Sequence, residues 1–232
     1  MFIIRIAELN ILIKNKYDYI FYMCQDYITY NESYDFCVEA DDKEILAEQT
    51  GNFSLPYLES LAVYRKIAEK LPSYNGILMH GALIDVSGEG SIFLAKSGVG
   101  KTTHIKLWKD YLNDKLKIIN GDKPIIRYIG SHFYGYGTPW AGKENYNLNT
   151  KTIIKNICFI KRNEKNSCYE VSKDTVLEQF LGQIYLSKNK INFLKNIDFA
   201  NKFIKSTRVF NIECNIDIEA AKVAYNYITK IN

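Results

Sequence analysis

The sequence predicts a mixed α+β fold that contains one strand–loop–helix unit of the phosphate-binding kind. Residues 91–95 (SIFLA) form a short apolar run typical of a buried strand. Lys101–Leu112 carries Ile105, Trp108 and Leu112 on one face at helical spacing. Short strand-like runs fill the rest of the first two thirds of the chain, whereas the last third is rich in helical patterns. We therefore expect a β-rich core with flanking helices.

The first 75 residues predict strands followed by one long helix. Apolar side chains alternate from Phe2 to Ile6 and again from Leu9 to Ile13, and the phase shift between the two runs indicates a bulge or a sharp bend. Residues 19–23 and 36–39 are further strand candidates. A helix is expected over 55–71, because Ser54 is a good N-cap and Pro56 suits the first turn.

The remaining residues predict alternating short strands and then an α-rich tail. Strands are expected at 77–80, 82–86, 116–119, 124–129, 133–136, 153–161 and 209–214, and helices at 173–186, 191–204 and 217–230. There is no internal repeat and no low-complexity linker. The simplest division is an N-terminal extension, residues 1–75, on a catalytic core, residues 76–232.

Composition narrows the functional class. The 30 basic and 26 acidic residues give a net charge of +4, and the basic residues are dispersed, which gives no support for a nucleic-acid partner. The five cysteines are odd in number and never form C-x-x-C, which disfavours disulfides or zinc and favours a cytoplasmic location. The N-terminus lacks signal-peptide features and no apolar run is long enough for a bilayer, so no membrane association is expected. A homo-oligomer is compatible with this composition.

The loop between the strand at 91–95 and the helix at 101–112 has the chemistry of a nucleotide phosphate site. Its glycines allow backbone N–H groups to wrap around an anion, and the helix N-terminus adds a partial positive charge. Lys101 would contact the β- and γ-phosphates, and the Thr102 hydroxyl would bind Mg²⁺. The pattern predicts a site for a nucleotide such as ATP with Mg²⁺. The predicted cofactor-binding residues are Ser97, Gly98, Val99, Gly100, Lys101, Thr102 and Thr103.

Two polar residues elsewhere are candidates for the chemistry. Asp122 follows the strand at 116–119, which we expect beside the phosphate-loop strand, and its carboxylate could bind Mg²⁺ or accept a proton from an attacking hydroxyl. The alternative is an ordinary turn aspartate. His80 precedes Gly81 at a strand end and could be an acid, a base or a phosphate contact, or simply a core histidine. His104, on the exposed side of the loop helix, and His132, in a turn, have no expected function.

The segment from Tyr136 to Glu144 (YGTPWAGKE) is a third candidate. Gly137 and Gly142 would permit close backbone approach to a ligand, and Thr138-Pro139 would fix the turn. Lys143 could counter the charge that develops in a transition state. Trp140 would then be a wall of the acceptor pocket, although an ordinary hairpin with a buried tryptophan fits the same residues.

These residues together resemble the HPr kinase/phosphorylase and phosphoenolpyruvate carboxykinase superfamily. The likeness consists of the ordered set HGA at 80–82, SGVGKTTH at 97–104, NGDKP at 120–124 and YGTPWAGKE at 136–144. It is close over about 76–160 and looser elsewhere. The resemblance implies a curved mixed β-sheet with a phosphate loop and flanking helices. It also implies a kinase that moves the γ-phosphoryl group of ATP to a hydroxyl.

Three departures from the family pattern bear on the function. The acidic pair of HPr kinases is here the single Asp122, the Arg-Gly-x-Gly signature of the phosphorylase activity is absent after Pro139, and the chain is too short for a carboxykinase. We expect a serine of a peptide or protein as acceptor, with free serine or another small alcohol as a variant. The alternatives are a nucleotide-binding regulatory module with little catalysis, or a Ser-phosphate phosphorylase.

Overall fold

The computed structural model describes residues 1–96 and 98–229, and within them the chain forms thirteen strands and seven α-helices. The strands are β1 (Phe2–Ile6), β2 (Leu9–Lys14), β3 (Ile28–Thr29), β4 (Phe36–Glu39), β5 (Gly76–Leu78), β6 (Ala82–Val86), β7 (Glu89–Leu94), β8 (Leu116–Asn120), β9 (Ile125–Ile129), β10 (His132–Tyr136), β11 (Lys151–Arg162), β12 (Ser167–Glu170) and β13 (Arg208–Cys214). The helices are α1 (Asp18–Met23), α2 (Asp42–Ala47), α3 (Leu55–Lys70), α4 (Lys101–Leu112), α5 (Leu177–Leu181), α6 (Lys190–Ser206) and α7 (Ile218–Thr229).

A large mixed sheet forms the centre of the molecule, in the order β5-β9-β10-β11-β7-β6-β8. The twelve-residue strand β11 branches it, because its first residues pair with β10 and its later residues pair with β13, which also pairs with β12. Strands β7 and β13 are both parallel to β11. The carboxyl ends of β7, β11 and β13 therefore lie at one edge of the sheet.

Helices cover both faces of this sheet. Ile105 and Trp108 of α4 pack with Ala221 and Ala224 of α7 against Phe93 on one face. On the other face, the apolar side chains of α5 and α6 pack against strands β6, β7 and β11. Because both faces of β7 are buried, its residues 92–94 are all apolar instead of alternating between apolar and polar.

The smaller sheet, in the order β3-β1-β2-β4, is built from the N-terminal residues. The phase shift predicted near Ala7 and Glu8 is a two-residue hairpin turn, and both residues have positive φ (53° and 60°). Residues of this sheet and of α3 share a core with Trp140 and Tyr136. The N-terminal residues are thus joined to the main sheet by a common hydrophobic core.

Several sequence-based element predictions are wrong. Residues 19–23 form helix α1 rather than a strand, and the helix expected over 173–186 is only the short α5. After α5 the chain returns to the sheet, where Ile184 bridges Met79. Helix α2 and strand β12 were not predicted. Strand β8 pairs with β6 rather than with β7, so β6 separates it from the strand that precedes the glycine-rich loop.

The sequence predicts no membrane-spanning segment and disfavours disulfide bonds. No helix within residues 1–96 and 98–229 combines the length and apolarity that crossing a bilayer requires. The five cysteines all fall within these ranges and are free thiols, of which only Cys37 is not fully buried.

Candidate functional site

Three chain segments that are distant in sequence meet at one edge of the main sheet. Strand β6 is antiparallel to both of its neighbours, β7 and β8. The end of β7, the start of β6 and the end of β8 therefore lie side by side. The end of β7 leads into the 95–102 loop. The start of β6 directly follows His80 and Gly81, and the end of β8 leads to Asp122. Because β6 lies between β7 and β8, His80 lies between the 95–102 loop and Asp122.

The 95–102 loop connects β7 to the first turn of α4, and its backbone is open at Gly98 and Gly100. Gly98 and Gly100 have φ values of 79° and 112°, and a Cβ added at either would meet nothing within 4 Å. Arg162, at the end of β11, donates to the carbonyl oxygens of Val99 at 2.8 Å and Gly98 at 2.5 Å, which fixes the loop from outside. Ser97, which the sequence assigned to cofactor binding, lies outside the described residues.

The Lys101 ammonium points to the other two candidates. Its Nζ lies 2.9 Å from His80 Nε2 and 3.9 Å from Asp122 Oδ1, and His80 Nε2 is 3.3 Å from the same Asp122 oxygen. Lys123 Nζ lies 3.9 Å from Asp122 Oδ2. The sequence therefore singled out three residues that the fold brings into one cluster, and it did not single out Lys123.

Burial sets the protonation of this cluster. It lowers the pKa of Lys101 to about 8, against a smaller raising effect of Asp122. For Asp122, burial raises the pKa, but the hydrogen bond from His80 and the charges of Lys123 and Lys101 outweigh it and leave the pKa below its usual value. The carboxylate is therefore ionised at neutral pH. It can bind a cation or orient His80.

Asn120 holds the Asp122 turn in place and is a site residue that sequence reasoning missed. It is fully buried, and its Oδ1 accepts from the backbone N–H of Asp122 at 2.9 Å and of Lys123 at 2.6 Å. Its Nδ2 donates to the Thr138 carbonyl at 2.9 Å, while the Thr138 hydroxyl donates to the Lys123 carbonyl at 2.7 Å. Asn-Gly-Asp is a turn signal in the sequence, but only its burial reveals the bracing role.

A cavity of about 560 Å³ lies in front of this cluster, within the range of small-molecule sites. The 95–102 loop, His80, Asp122 and residues 141–144 all line it, and Thr102, Thr103 and Lys143 are among them. Its charged lining residues are mostly basic: Lys96, Lys101, Lys106, Lys143 and Arg162 against Asp122 and Glu144. This excess of positive charge suits an anionic ligand.

Residues 141–144, the end of the 136–144 segment, form one wall of this cavity. Lys106 Nζ of α4 lies 3.0 Å from Glu144 Oε2, which links the segment to the loop helix. Gly142 has φ of 74°, and a Cβ there would lie 3.2 Å from Asp122 Cβ, so the backbone passes directly over the carboxylate. The expectation that Gly137 faces a ligand is wrong. A Cβ at Gly137 would lie 1.9 Å from the Leu148 carbonyl oxygen, so it serves chain packing instead.

Two further sequence-based expectations are corrected. Trp140 is not a wall of the cavity; it is 7% exposed, stacks near Tyr64 at 5.4 Å between ring centres, and donates to the Ser60 carbonyl at 3.1 Å. His104 is not exposed; it is 2% exposed and accepts from Trp108 Nε1 at 3.0 Å. Both side chains pack into the hydrophobic core. Residues distant in sequence cover the positions that the local sequence pattern suggested were exposed.

The residues present fit a nucleotide and Mg²⁺. The loop backbone is open, Lys101 is a largely buried cation at its end, and Thr102 lines the same cavity as Asp122. Residues 1–96 and 98–229 contain no group of three or more His, Cys, Asp or Glu side chains suited to hold a metal. This does not conflict with Mg²⁺, because magnesium in phosphate sites is held by one or two protein groups together with water and phosphate oxygens.

Comparison with known proteins gives matches among solved structures. No protein-family model matches the chain. No curated protein matches it either. Among solved structures, the Hpr(Ser) kinase/phosphatase from Coxiella burnetii is similar over 66% of this chain and 92% of its own, with 9% identity and a TM-score of 0.38. A similarity at this TM-score supports no conclusion about activity, which must come from the site's own geometry.

Proposed function

We propose that this protein is a kinase that transfers the γ-phosphoryl group of ATP to the hydroxyl of a serine, in a peptide or protein or as the free amino acid. The observation that carries the proposal is the cluster of Lys101, His80 and Asp122, held within 3.9 Å of one another at the mouth of an anion-suited loop. Asp122 is partly exposed, and it lines the cavity together with His80 and Lys101. A lysine against the phosphates and a carboxylate that binds Mg²⁺ or accepts the proton of the nucleophile are recurring parts of phosphoryl-transfer sites, and an imidazole beside them can act as a base.

The loop residues and Lys101 would hold the phosphates, and Thr102 and Asp122 would hold Mg²⁺. The bound Mg-nucleotide supplies the phosphoryl group and neutralises part of its charge. Gly98 to Thr103 present backbone N–H groups and hydroxyls to the anion, aided by the N-terminus of α4. The low exposure of Lys101 strengthens its attraction to phosphate, because the local dielectric is lower than that of water.

His80 and Asp122 would remove the proton of the acceptor hydroxyl. His80 Nε2 is 3.3 Å from Asp122 Oδ1, so a proton taken by the imidazole is stabilised by the carboxylate, and Asp122 can alternatively accept it directly. This arrangement gives the single acidic residue a partner in place of a second carboxylate. Lys143, which lines the same cavity, would counter the charge that develops during transfer.

The test uses ATP labelled in its γ-phosphate. The wild-type protein is incubated with Mg²⁺ and either free serine or a pool of serine-containing peptides, and label in phosphoserine is measured. We expect transfer in the wild type and a loss of several orders of magnitude in Asp122→Asn, with ATP affinity retained. Lys143→Ala is expected to slow transfer with little change in ATP affinity, because it acts on the transition state.

One alternative function has an observation in its favour. A nucleotide-binding regulatory module would need the phosphate loop but only a single carboxylate, and Asp122 is the only acidic residue in the cluster of Lys101, His80 and Lys123. In that case ATP would bind with normal dependence on Lys101, but neither transfer nor hydrolysis would exceed the background of the Asp122→Asn variant. The same labelled-ATP experiment separates the two functions.

A further inference from the structure

A second cavity lies on the other side of the 95–102 loop. It has a volume of about 450 Å³, and its walls come from the loop itself, from Asn163 and Glu164 after β11, and from the residues after β13. These segments meet because β7, β11 and β13 are parallel and end at the same edge. The cavity contains neither Asp122 nor His80 and is therefore separate from the reaction site.

The surface of this second cavity is largely apolar, although the charged residues Arg162 and Glu164 also line it. Val99, Ile160, Cys214 and Ile216 line it. Ile216 is 81% exposed and stands in the loop between β13 and α7. Because it lines the cavity, its side chain is free to contact an apolar part of a ligand bound there.

The floor of the cavity is uncharged. Trp108 Nε1 donates to His104 Nε2 at 3.0 Å, so the His104 proton is on Nδ1, which faces Cys214 Sγ at 3.7 Å. Burial lowers the pKa of His104 to about 4 and raises that of Cys214 to about 11, so both are neutral at pH 7. The floor thus suits a neutral group rather than a phosphate.

The two cavities share part of their lining, and the remaining lining residues show the order in which they follow one another along the loop. Lys101 and Thr102 line only the first cavity, Val99 and His104 line only the second, and Gly100, Thr103 and Arg162 line both. In a phosphate loop the lysine contacts the β- and γ-phosphates. The γ-phosphate would therefore face Asp122, and the chain of the nucleotide would run past Thr103 towards the second cavity.

We infer that the second cavity binds the nucleobase of the nucleotide, with Ile216 and Val99 as apolar contacts to its faces. This inference rests on the proposed phosphate loop and adds to it where the nucleoside lies and what recognises it. The base is the part of a nucleotide that is flat and neutral, which matches the largely apolar walls and the uncharged floor. The phosphates are anionic and match the basic first cavity.

Binding of a base-free polyphosphate separates this inference from the phosphate loop itself. The affinities of Mg-ATP and Mg-tripolyphosphate are measured by calorimetric titration for the wild type, Ile216→Ala and Ile191→Ala. Ile191, on α6, is 67% exposed and lines neither cavity, so it is a matched control. Both substitutions are at exposed positions and should leave the fold intact.

We expect Ile216→Ala to weaken ATP binding about tenfold, the effect of removing a few methylene contacts from an apolar pocket. Its affinity for tripolyphosphate should equal that of the wild type, and Ile191→Ala should match the wild type with both ligands. Unchanged ATP affinity in Ile216→Ala, or an equal loss for both ligands, would overturn the nucleobase site and leave the phosphate loop standing. If the wild type binds neither ligand, the phosphate loop fails and this site fails with it.

Discussion

At the scale of single residues, Lys101 gives nucleotide binding a pH dependence. Burial lowers the pKa of its ammonium to about 8, so the charge is present at pH 7 and is lost as the pH rises through about 8. We expect the affinity for Mg-ATP to fall above pH 8, by at most about tenfold per pH unit for one proton. Calorimetric titration between pH 7 and pH 9 measures this.

Two variants of Lys101 test whether that residue is the cause. Lys101→Ala should weaken ATP binding at pH 7 by about 1.5–3 kcal/mol, since it removes a charge-assisted contact to phosphate. Lys101→Arg should bind with less dependence on pH, because a guanidinium stays charged throughout this range. A pH-dependent fall of the same size in Lys101→Arg would assign the effect to another group.

His104 is expected to make the folded state less stable in acid. Its pKa is about 4 in the folded protein, because it is buried, and near 6.5 when unfolded. Between these values the unfolded chain binds more protons, so the free energy of unfolding falls as the pH is lowered from 6.5 to 4. The expected loss is on the order of 3 kcal/mol. Urea denaturation over this pH range measures it.

The role of His104 is tested by comparing the pH dependence of stability in two histidine variants. His104→Gln should remove the greater part of the acid-side slope, whereas His132→Gln should leave it unchanged because His132 is exposed on β10. An identical slope in the wild type and His104→Gln would show that carboxylates alone account for the acid sensitivity.

At the scale of elements, the turn after β8 depends on Asn120. Asn120→Ala would leave the backbone N–H groups of Asp122 and Lys123 without their acceptor, at a cost of roughly 1–3 kcal/mol for each group that stays buried. We expect lower stability and a large loss of phosphoryl transfer, with ATP affinity nearly unchanged. Urea denaturation, calorimetry and the labelled-ATP assay measure the three quantities.

The control for this turn is Asn149→Ala. Asn149 is exposed, and its Nδ2 donates to the Asp26 carbonyl at 2.8 Å, away from Asp122. It should change stability little and transfer not at all. If Asn120→Ala kept normal transfer, Asp122 would not need its turn held, and a catalytic role for it would lose support.

Element prediction from the sequence gave the correct limits for one helix and two short strands and failed for other elements. Helix α4, strand β6 and strand β4 have the predicted limits. Residues 19–23 are too short a run for periodicity to separate helix from strand, and contacts of α1 with α3 decide for helix. The tail at 173–186 carries helical periodicity, but pairing of residue 184 with the main sheet ends the helix early.

At the scale of the whole molecule, the N-terminal sheet and the main sheet share one core. Trp140 lies in that core with α3, and Arg127 Nη1 of β9 donates to the Ala7 carbonyl at 2.6 Å. Tyr136 donates to Glu8 Oε1 at 3.0 Å. The division into an N-terminal extension, residues 1–75, and a core, residues 76–232, stays a prediction of the sequence, and these contacts give a physical reason for the two parts to unfold together.

We expect a single unfolding transition reported equally by both tryptophans. The chain has two, Trp108 between α4 and the main sheet and Trp140 in the shared core. In Trp108→Phe the remaining fluorescence reports the shared core, and in Trp140→Phe it reports the α4 face. Within each variant, the urea midpoint from fluorescence should equal the midpoint from circular dichroism. Separate midpoints in Trp108→Phe would indicate that the N-terminal part unfolds independently.

The sequence by itself determined the strand–loop–helix unit, the mixed α+β class and the candidate residues Lys101, Asp122 and His80. These are local signals, because glycine spacing, apolar runs and polar residues at strand ends depend on near neighbours in the chain. Whether the loop binds phosphate, and whether Ser97 and Lys143 contribute, remain predictions. Tertiary structure alone decided that β6 lies between β7 and β8, that Trp140 and His104 are buried, and that Asn120 braces Asp122. These facts depend on which surfaces meet across long sequence separations, and no local pattern carries that information.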